Sequence, residues 1–144
     1  MKRNFKNNLM FLVLGLLAIP LSAQAGVNAS VPTTAAVWAH HIEAWQNRDL
    51  TTIMADYTDE SVDIVVNKTY RGTREITELF SKLFQLFDGA KDHVVDPAVI
   101  EGKVVYITWH AVFGGKTVTG TDTFVIENGK ITYQTITSDP KLFE

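Results

Sequence analysis

Asp122 is the residue whose surroundings in the sequence point most directly to chemistry. It stands in a run, Lys116 to Ile126, in which apolar and polar side chains alternate, and it falls on the apolar side. A carboxyl group on such a face must be paired, hydrogen-bonded or protonated, because burying an isolated charge is costly. Two interpretations stay open: a protonated acid, or a carboxylate held by Gln134 or by a side chain of the first helix.

His41 is the second candidate, because it shares a helical face with two tryptophans, Trp38 and Trp45. An imidazole on this inner face can donate a hydrogen bond or move a proton near neutral pH, with Asp122 as its partner. The alternative is a core histidine satisfied by a backbone carbonyl or by Asp122. His40 points about 100° away around the helix, which predicts a solvated side chain.

Other kinds of site have little support. Neighbouring helical residues such as His40 and His41 do not face one ion, and no HxxxH or CxxC spacing occurs. A GxSxG motif, a phosphate-binding loop and cysteine are also missing from the sequence. We therefore expect no metal and no cofactor, and no acyl-enzyme or nucleotide chemistry.

The turn at Gly114-Gly115 predicts a hairpin that places candidate residues on one face of a sheet. Pairing across this turn sets Asp122 opposite Ile107 and Gly120 opposite Trp109. Side chains of alternate residues lie on the same face of a strand. Asp122 and the Trp109 N–H are therefore expected on one largely apolar surface.

The turn at Glu127-Asn128-Gly129 predicts the next hairpin. Pairing across it sets Asp122 near Gln134 and Phe124 near Thr132. The resulting inner face reads as the lining of a pocket. The residues expected to bind a ligand there are Trp38, Trp45, Tyr57, Trp109, Phe124 and Gln134. The alternative for the aromatic residues is plain core packing.

The opposite face of these strands is rich in threonine and more apolar than a solvated surface requires. It predicts a homodimer that forms through the outer face of the sheet. The residues expected on this face include Thr119, Thr121, Tyr106, Val112, Val125, Ile131 and Tyr133.

Helices followed by a sheet must position these side chains. Helical periodicity covers residues 35–47, 50–57 and 73–87, and strand-like segments cover residues 62–66, 93–100, 103–113, 116–126 and 130–137. This order predicts an α+β domain with helices on one face of a curved antiparallel sheet. The domain is expected to span residues 34–138, between a flexible leader at 26–33 and a tail at 139–144.

The N-terminus has the pattern of a secretory signal peptide at residues 1–25. Lys2, Arg3 and Lys6 precede an uncharged apolar segment at residues 9–19, and Ala23-Gln24-Ala25 supplies the small residues that signal peptidase reads. Eleven apolar residues are too few for a membrane span, which needs about 20. We therefore expect export to the periplasm, with no membrane attachment after cleavage.

The charge of the mature chain argues against nucleic acid as a partner. Removing the first 25 of the 144 residues leaves ten basic and sixteen acidic side chains, a net charge of −6. Such a chain lacks the positive surface that neutralises phosphates. Without cysteine, the domain must be stabilised by burial alone.

Several segments resemble the nuclear transport factor 2-like superfamily, which includes SnoaL-like polyketide cyclases and ketosteroid isomerase. The segments are His41 to Leu50, Ala55 to Val62, Gly72 to Ile76 and Asp122 to Ile131, and their order and spacing span most of residues 34–138. The resemblance implies a cone-shaped fold: a curved sheet wraps around a helix and encloses an apolar pocket. It also implies a small apolar or amphipathic ligand, and dimers are frequent in the superfamily.

The resemblance also implies roles for individual residues. Asp122 falls where the isomerases keep a protonated Asp that donates a hydrogen bond, and His41 falls where they place a tyrosine. The position that corresponds to the superfamily's catalytic base can be counted in two ways. Counting forward from Tyr57 gives Val65, and counting back from Gly72 gives Asp63. The first count is preferred, and it argues against steroid isomerisation because valine cannot abstract a proton.

Three classes of function follow. The leading one is a cofactor-independent enzyme that transfers a proton, dehydrates or hydrolyses a small apolar ligand, with Asp63 as a further candidate catalytic residue. The second is a non-catalytic binder that uses the same pocket, and the third is an interaction module that uses the outer sheet. Because this fold hosts many activities, the site must decide among them.

Overall fold

A computed structural model describes residues 30–143 of the chain. The expected signal peptide and residues 26–29 of the expected leader lie outside this part. The helices are α1 (Thr34–Gln46), α2 (Leu50–Met54) and α3 (Gly72–Asp88), and a 3-10 turn spans Pro140–Leu142. The strands are β1 (Val62–Val65), β2 (Lys68–Arg71), β3 (Lys91–Val95), β4 (Val99–Glu101), β5 (Val104–Phe113), β6 (Lys116–Glu127) and β7 (Lys130–Ser138).

The seven strands form one curved, unclosed sheet in the order β2-β1-β7-β6-β5-β3, with β4 also paired to β5. Neighbouring strands are antiparallel, except that β1 runs parallel to β7. The helices cover the concave face. The expected α+β fold is therefore confirmed.

Local sequence explains where the helices begin and what they bury. Thr33 caps α1 by accepting a hydrogen bond from the Ala36 N–H at 3.2 Å, and Asp49 caps α2 by accepting one from Thr52. The apolar stripe of α3 is buried against the sheet. Its members are Ile76, Leu79, Phe80, Leu83, Phe84 and Phe87.

The β5–β6 register agrees with the hairpin prediction, with Asp122 opposite Ile107 and Gly120 opposite Trp109. Two glycines form the tight turn at residues 114 and 115, both at positive φ. This pairing brings the Trp109 indole across the strand to the Asp122 carboxyl.

The β6–β7 register differs from the prediction by two residues. Phe124 pairs with Gln134 rather than Thr132, and Asp122 pairs with Ile136. Two features each contribute one residue to this difference. The turn is two residues long, so Glu127 pairs with Lys130, and a bulge beside Val125 leaves Thr132 as an extra residue, whose hydroxyl donates to the Val125 carbonyl oxygen at 3.1 Å. A shift of two residues keeps Gln134 on the inner face, so it still reaches Asp122.

The bulge also changes the face on which the first residues of β7 lie. Ile131 was expected on the outer surface, but it is buried, because the bulge reverses the alternation between Ile131 and Tyr133. Tyr133 stays outside, with 51% of its surface exposed.

Two segments of the domain differ from what the sequence predicted. The predicted strand at 93–100 is interrupted at Asp96-Pro97-Ala98, because Pro97 lacks an N–H for the ladder; both halves pair with β5. In the segment interpreted as a tail, Leu142 and Phe143 pack against the core. None of the helices within residues 30–143 combines the length and apolar character needed to cross a membrane.

Candidate functional site

A cavity lies between the helices and the concave face of the sheet. It has a volume of about 490 Å³, counting the space at its open mouth, and Phe143 closes part of one side. Its walls are mostly aromatic, from Trp38, Trp45, Phe80, Phe87, Trp109 and Phe124, and its polar residues are His41, His93, Asp122 and Gln134. An apolar cavity with a few convergent polar groups has the make-up of a small-molecule site.

Asp122 is the carboxyl group of this cavity, and two neighbours hold it. The Trp109 indole donates to Asp122 Oδ1 at 2.9 Å, and the Gln134 amide donates to Oδ2 at 3.1 Å. Behind Gln134, the Tyr57 hydroxyl donates to its Oε1 at 2.5 Å. Tyr57 contacts the amide oxygen of Gln134 and Asp122 contacts its amide nitrogen, so with Asp122 ionised the chain of hydrogen bonds runs in one direction, from Tyr57 through Gln134 to Asp122.

Burial raises the pKa of Asp122 to about 6, although the hydrogen bonds from Trp109 and Gln134 lower it. Both interpretations of Asp122, a carboxylate held by Gln134 and a protonated acid, are therefore compatible with its surroundings. The carboxylate is bonded to Gln134, and a protonated fraction also exists just below neutral pH. No side chain of α1 bonds to Asp122 within residues 30–143.

His41 has a different carboxylate partner from the one expected. Its Nδ1 lies 3.2 Å from Asp56 Oδ2, while the ring lines the cavity. Asp122 is instead occupied by Trp109 and Gln134. The reason is the short helix α2, which ends just before Asp56 and turns this buried carboxyl toward α1. The predicted direct pair of His41 and Asp122 is therefore wrong.

Asp56 also binds the neighbouring histidine, His40, whose Nδ1 lies 2.7 Å from Asp56 Oδ1. The side chain of His40 is 45% exposed, so it is partly solvated, as expected, but not free. An ionised carboxylate only accepts hydrogen bonds, so both imidazoles present their Nδ1–H groups to it. This fixes the tautomer of His41 and leaves its Nε2 as an acceptor on the ring that lines the cavity.

The buried position of His41 keeps its imidazole neutral. Burial lowers the pKa of His41 below 6.5, against the hydrogen bond and charge of Asp56, which raise it; the nearby His40 lowers it further. The neutral form then dominates at pH 7. A neutral imidazole oriented by a carboxylate is the arrangement of a general base.

Asp63 and Tyr57 lie outside the cavity wall. Asp63 and Val65 are both buried, so they share the inward side of β1, and Asp63 pairs with Gln134. Both carboxyl oxygens of Asp63 are buried without a hydrogen-bond partner among the described residues. Burial, and then the charge of Asp122, raise the pKa of Asp63 well above its usual range. Tyr57, expected at the pocket rim, is not part of the cavity wall, but it contacts two residues of the site: its hydroxyl donates to Gln134, and its ring packs against His41 with centroids 5.8 Å apart.

The other candidate residues lie where the sequence predicted a pocket. Trp38, Trp45, Trp109, Phe124 and Gln134 line the cavity, and their roles in binding stay predictions.

Sequence reasoning missed three residues of this region: Asp56, His93 and Phe143. His93 alternates with the inward Val95, and this was the available signal. Asp56 lies in a loop, where no periodicity shows which way a side chain points. Phe143 belongs to the segment interpreted as a tail.

The polar groups can together support acid–base chemistry on a bound molecule. His41 offers a neutral base, and Asp122 offers an acid or a hydrogen bond at another part of the same wall. Across residues 30–143, no three His, Cys, Asp or Glu side chains are grouped so as to hold a metal ion.

Comparison with solved structures shows the same fold in other proteins. A nuclear transport factor 2-like protein of unknown function from Cytophaga hutchinsonii has a TM-score of 0.65 and 20% identity, over 81% of this chain and 99% of that one. A second such protein, from Burkholderia thailandensis, has a TM-score of 0.62 and 19% identity, over 78% and 95% of the two chains. A steroid delta-isomerase from Pseudomonas aeruginosa has a TM-score of 0.64 and 19% identity, over 77% and 85%.

At these identities, the likeness is one of fold. A search of the curated proteins found no match. A family model described as the SnoaL-like domain matches residues 38–134, which is more than half of the chain. The resemblance inferred from the sequence is thereby confirmed: the chain belongs to the SnoaL-like domain family, within the nuclear transport factor 2-like superfamily.

Proposed function

We propose that this protein binds a small, largely apolar molecule in its cavity and moves a proton on it without a cofactor. The observation that carries the proposal is the imidazole of His41, held at Nδ1 by Asp56 while the ring lines an aromatic cavity. A buried carboxylate–imidazole pair that opens onto an apolar cavity is suited to removing a proton from a bound molecule.

Asp122 has the complementary role in this proposal. When His41 Nε2 takes a proton from carbon beside a carbonyl group, negative charge develops on the carbonyl oxygen. The protonated form of Asp122 can donate a hydrogen bond to this oxygen, since its pKa of about 6 leaves a protonated fraction near neutral pH. Trp109 and Gln134 hold the carboxyl group in place.

The proposed reaction class is tested by hydrogen exchange on a simple carbon acid. We expect the protein to accelerate deuterium incorporation at the carbon next to the carbonyl of 2-tetralone in D₂O, measured by proton NMR. His41→Gln should lower the rate about 100-fold or more, the scale of general-base catalysis. Glu43→Gln, an exposed change on the same helix, is the control and should leave it unchanged. Equal rates with and without the wild-type protein would contradict catalysis on this class of substrate.

The second candidate is a non-catalytic binder, and the position of Asp63 favours it. This carboxyl group stands at one of the two positions that correspond to the superfamily's base, but it is fully buried and absent from the cavity wall. A binder would retain ligand affinity in His41→Gln and would show no exchange. Calorimetry with 2-tetralone, alongside the exchange measurement, separates the two functions.

We further propose that the chain is exported and cleaved before Gly26. The support is the charged start, the apolar segment and the small residues at 23–25. Intact-mass measurement of the protein from the periplasm of an expressing Gram-negative host should give a chain that begins at Gly26. Full-length protein retained with the membrane would contradict the proposal.

We also propose association into a homodimer through the outer face of the sheet. Tyr106 and Tyr133 are 40% and 51% exposed on this face, and such aromatic surface favours contact. Light scattering at high micromolar concentration should give a dimer, and the double variant Thr119→Arg, Thr121→Arg should give a monomer. Gln85→Arg, an exposed change on α3, is the control. A wild-type monomer would contradict this arrangement.

A further inference from the structure

His93 is a histidine of the cavity wall for which the proposed reaction has no use. It lies on β3, is half-buried and faces the cavity. Its ring packs within an aromatic box, with centroid distances of 4.7 Å to Phe87, 5.8 Å to Trp45 and 6.4 Å to Trp109. Its ring is thus positioned by packing alone.

The ring nitrogens of His93 are available to a ligand. Within residues 30–143 the ring makes no hydrogen bond, and neither nitrogen is sealed from solvent. Burial lowers the pKa of His93, and the charges of Arg48 and His110 lower it further. At neutral pH the ring therefore offers one N–H donor and one acceptor nitrogen. His41, in contrast, is held by Asp56 at one nitrogen.

The two histidines lie in different parts of the cavity. The ring of His41 contacts Trp38, Tyr57, Phe80 and Phe124, and none of these rings contacts His93. His41 is fully buried, whereas His93 is half-buried and so lies nearer the mouth. A molecule bound in the cavity therefore meets aromatic walls and two imidazoles, one in each of these parts.

We propose that His93 binds a second oxygen substituent of the ligand, a hydroxyl or a carbonyl, in the part of the cavity lined by Trp45, Phe87 and Trp109. This assignment rests on the proposed function, since it concerns the ligand of the same cavity. It narrows the ligand class to apolar ring compounds that carry two oxygen substituents. His93 is then a specificity-determining residue, and its contribution appears only with ligands that carry the second oxygen.

The test is a comparison of two probes that differ by one hydroxyl group, 2-naphthol and 2,6-dihydroxynaphthalene, with binding measured by calorimetry. The wild-type protein should bind the dihydroxy probe about 3- to 10-fold more tightly, the range that one net hydrogen bond gives. His93→Phe, which keeps an aromatic ring in the box, should abolish this preference, measured as the ratio of the two affinities in the same variant. His93→Gln, which restores hydrogen bonding, should recover part of it.

His110→Gln is the matched control, because His110 is a nearby histidine that is absent from the cavity wall. It should keep the preference of the wild-type protein. A preference that survives in His93→Phe, or a wild-type protein that binds both probes equally, would overturn the assignment of His93. Failure of the wild-type protein to bind either probe would instead contradict the proposed cavity function.

Discussion

The indole ring of Trp109 lies directly over the backbone of Gly120 on the neighbouring strand. A Cβ atom built on Gly120 would stand 2.1 Å from Trp109 Cζ2, far inside contact distance. Glycine at this position therefore lets the indole lie flat against β6 and reach the Asp122 carboxyl. The hydrogen bond of the candidate site depends on a residue that has no side chain.

Gly120→Ala should consequently displace Trp109 and weaken its hydrogen bond to Asp122. We expect a loss of about 1–3 kcal/mol in the free energy of unfolding, the usual cost of overpacking. The pKa of Asp122 should also rise above about 6, because the bond from Trp109 lowers it. Chemical denaturation and NMR titration of the Asp122 carboxyl measure the two effects.

Gly89→Ala is the matched control for this substitution. A Cβ atom built on Gly89 would lie 3.7 Å from its nearest neighbour, the Leu86 carbonyl oxygen, which is an ordinary contact. The φ of Gly89, −84°, also suits alanine. It should leave the stability within about 0.5 kcal/mol of the wild-type value. Equal effects of the two alanines would show that the contact with Trp109 is not the cause.

Replacing Asp56 and replacing His40 should move the pKa of His41 in opposite directions. Asp56→Asn removes a charge that raises this pKa, so it should fall further below 6.5. His40→Gln removes a neighbour that lowers the pKa of His41, so it should rise. A histidine NMR titration of the two variants checks both signs, and shifts in the same direction would contradict the arrangement.

The rate of the proposed proton transfer should depend on pH through His41 and Asp122. Below the pKa of His41 the base is protonated, and above a pH of about 6 the acid form of Asp122 is lost, so the exchange rate falls on both sides. Asp122→Asn keeps a donor but cannot ionise. This variant should retain part of the activity, and its exchange rate should no longer decrease at high pH. If the rate of Asp122→Asn still decreases at high pH, a group other than Asp122 causes the decrease.

Asp63 should make the folded protein less stable as the pH rises. Its pKa is raised in the folded state, so above about pH 4 the unfolded chain releases this proton while the folded protein retains it. Stability then falls by about 1.4 kcal/mol per pH unit, until the folded-state pKa is reached. Asp63→Asn removes this dependence on pH.

Denaturation of both proteins at pH 5 and pH 8 tests this linkage. The difference in unfolding free energy between the two pH values should be smaller for Asp63→Asn than for the wild-type protein. Glu101→Gln, an exposed carboxyl replacement, should leave that difference unchanged. If Asp63→Asn behaves like this control, the carboxyl group is not buried as described.

The sequence was informative about the β5–β6 hairpin and about which residues of the sheet point inward. Two glycines at residues 114 and 115 determine the β5–β6 register, and that register brings Trp109 to Asp122. Alternation then identified Gln134 as an inward residue, even though its predicted pairing partner was wrong. The superfamily could be inferred from the order of these elements, since each motif was weak alone.

The missing parts of the site depend on local irregularity and on loops. A bulge at Thr132 adds one residue to β7, and no rule of alternation reveals its place. The direction of Asp56 depends on how α2 packs beside α1, which is a tertiary effect. For this reason the sequence predicted a carboxylate partner for His41 but named Asp122 instead of Asp56.

The parallel pairing of β1 with β7 has a consequence for the order in which the protein folds. Asp63, on an early strand, stands beside Gln134 on the last strand of the sheet, and β2 to β6 lie between them in the chain. Contacts between such distant segments form late, because the intervening loop must close first. During synthesis β1 has no partner on that side until β7 has left the ribosome, so the domain cannot complete its sheet before nearly all of its chain is available.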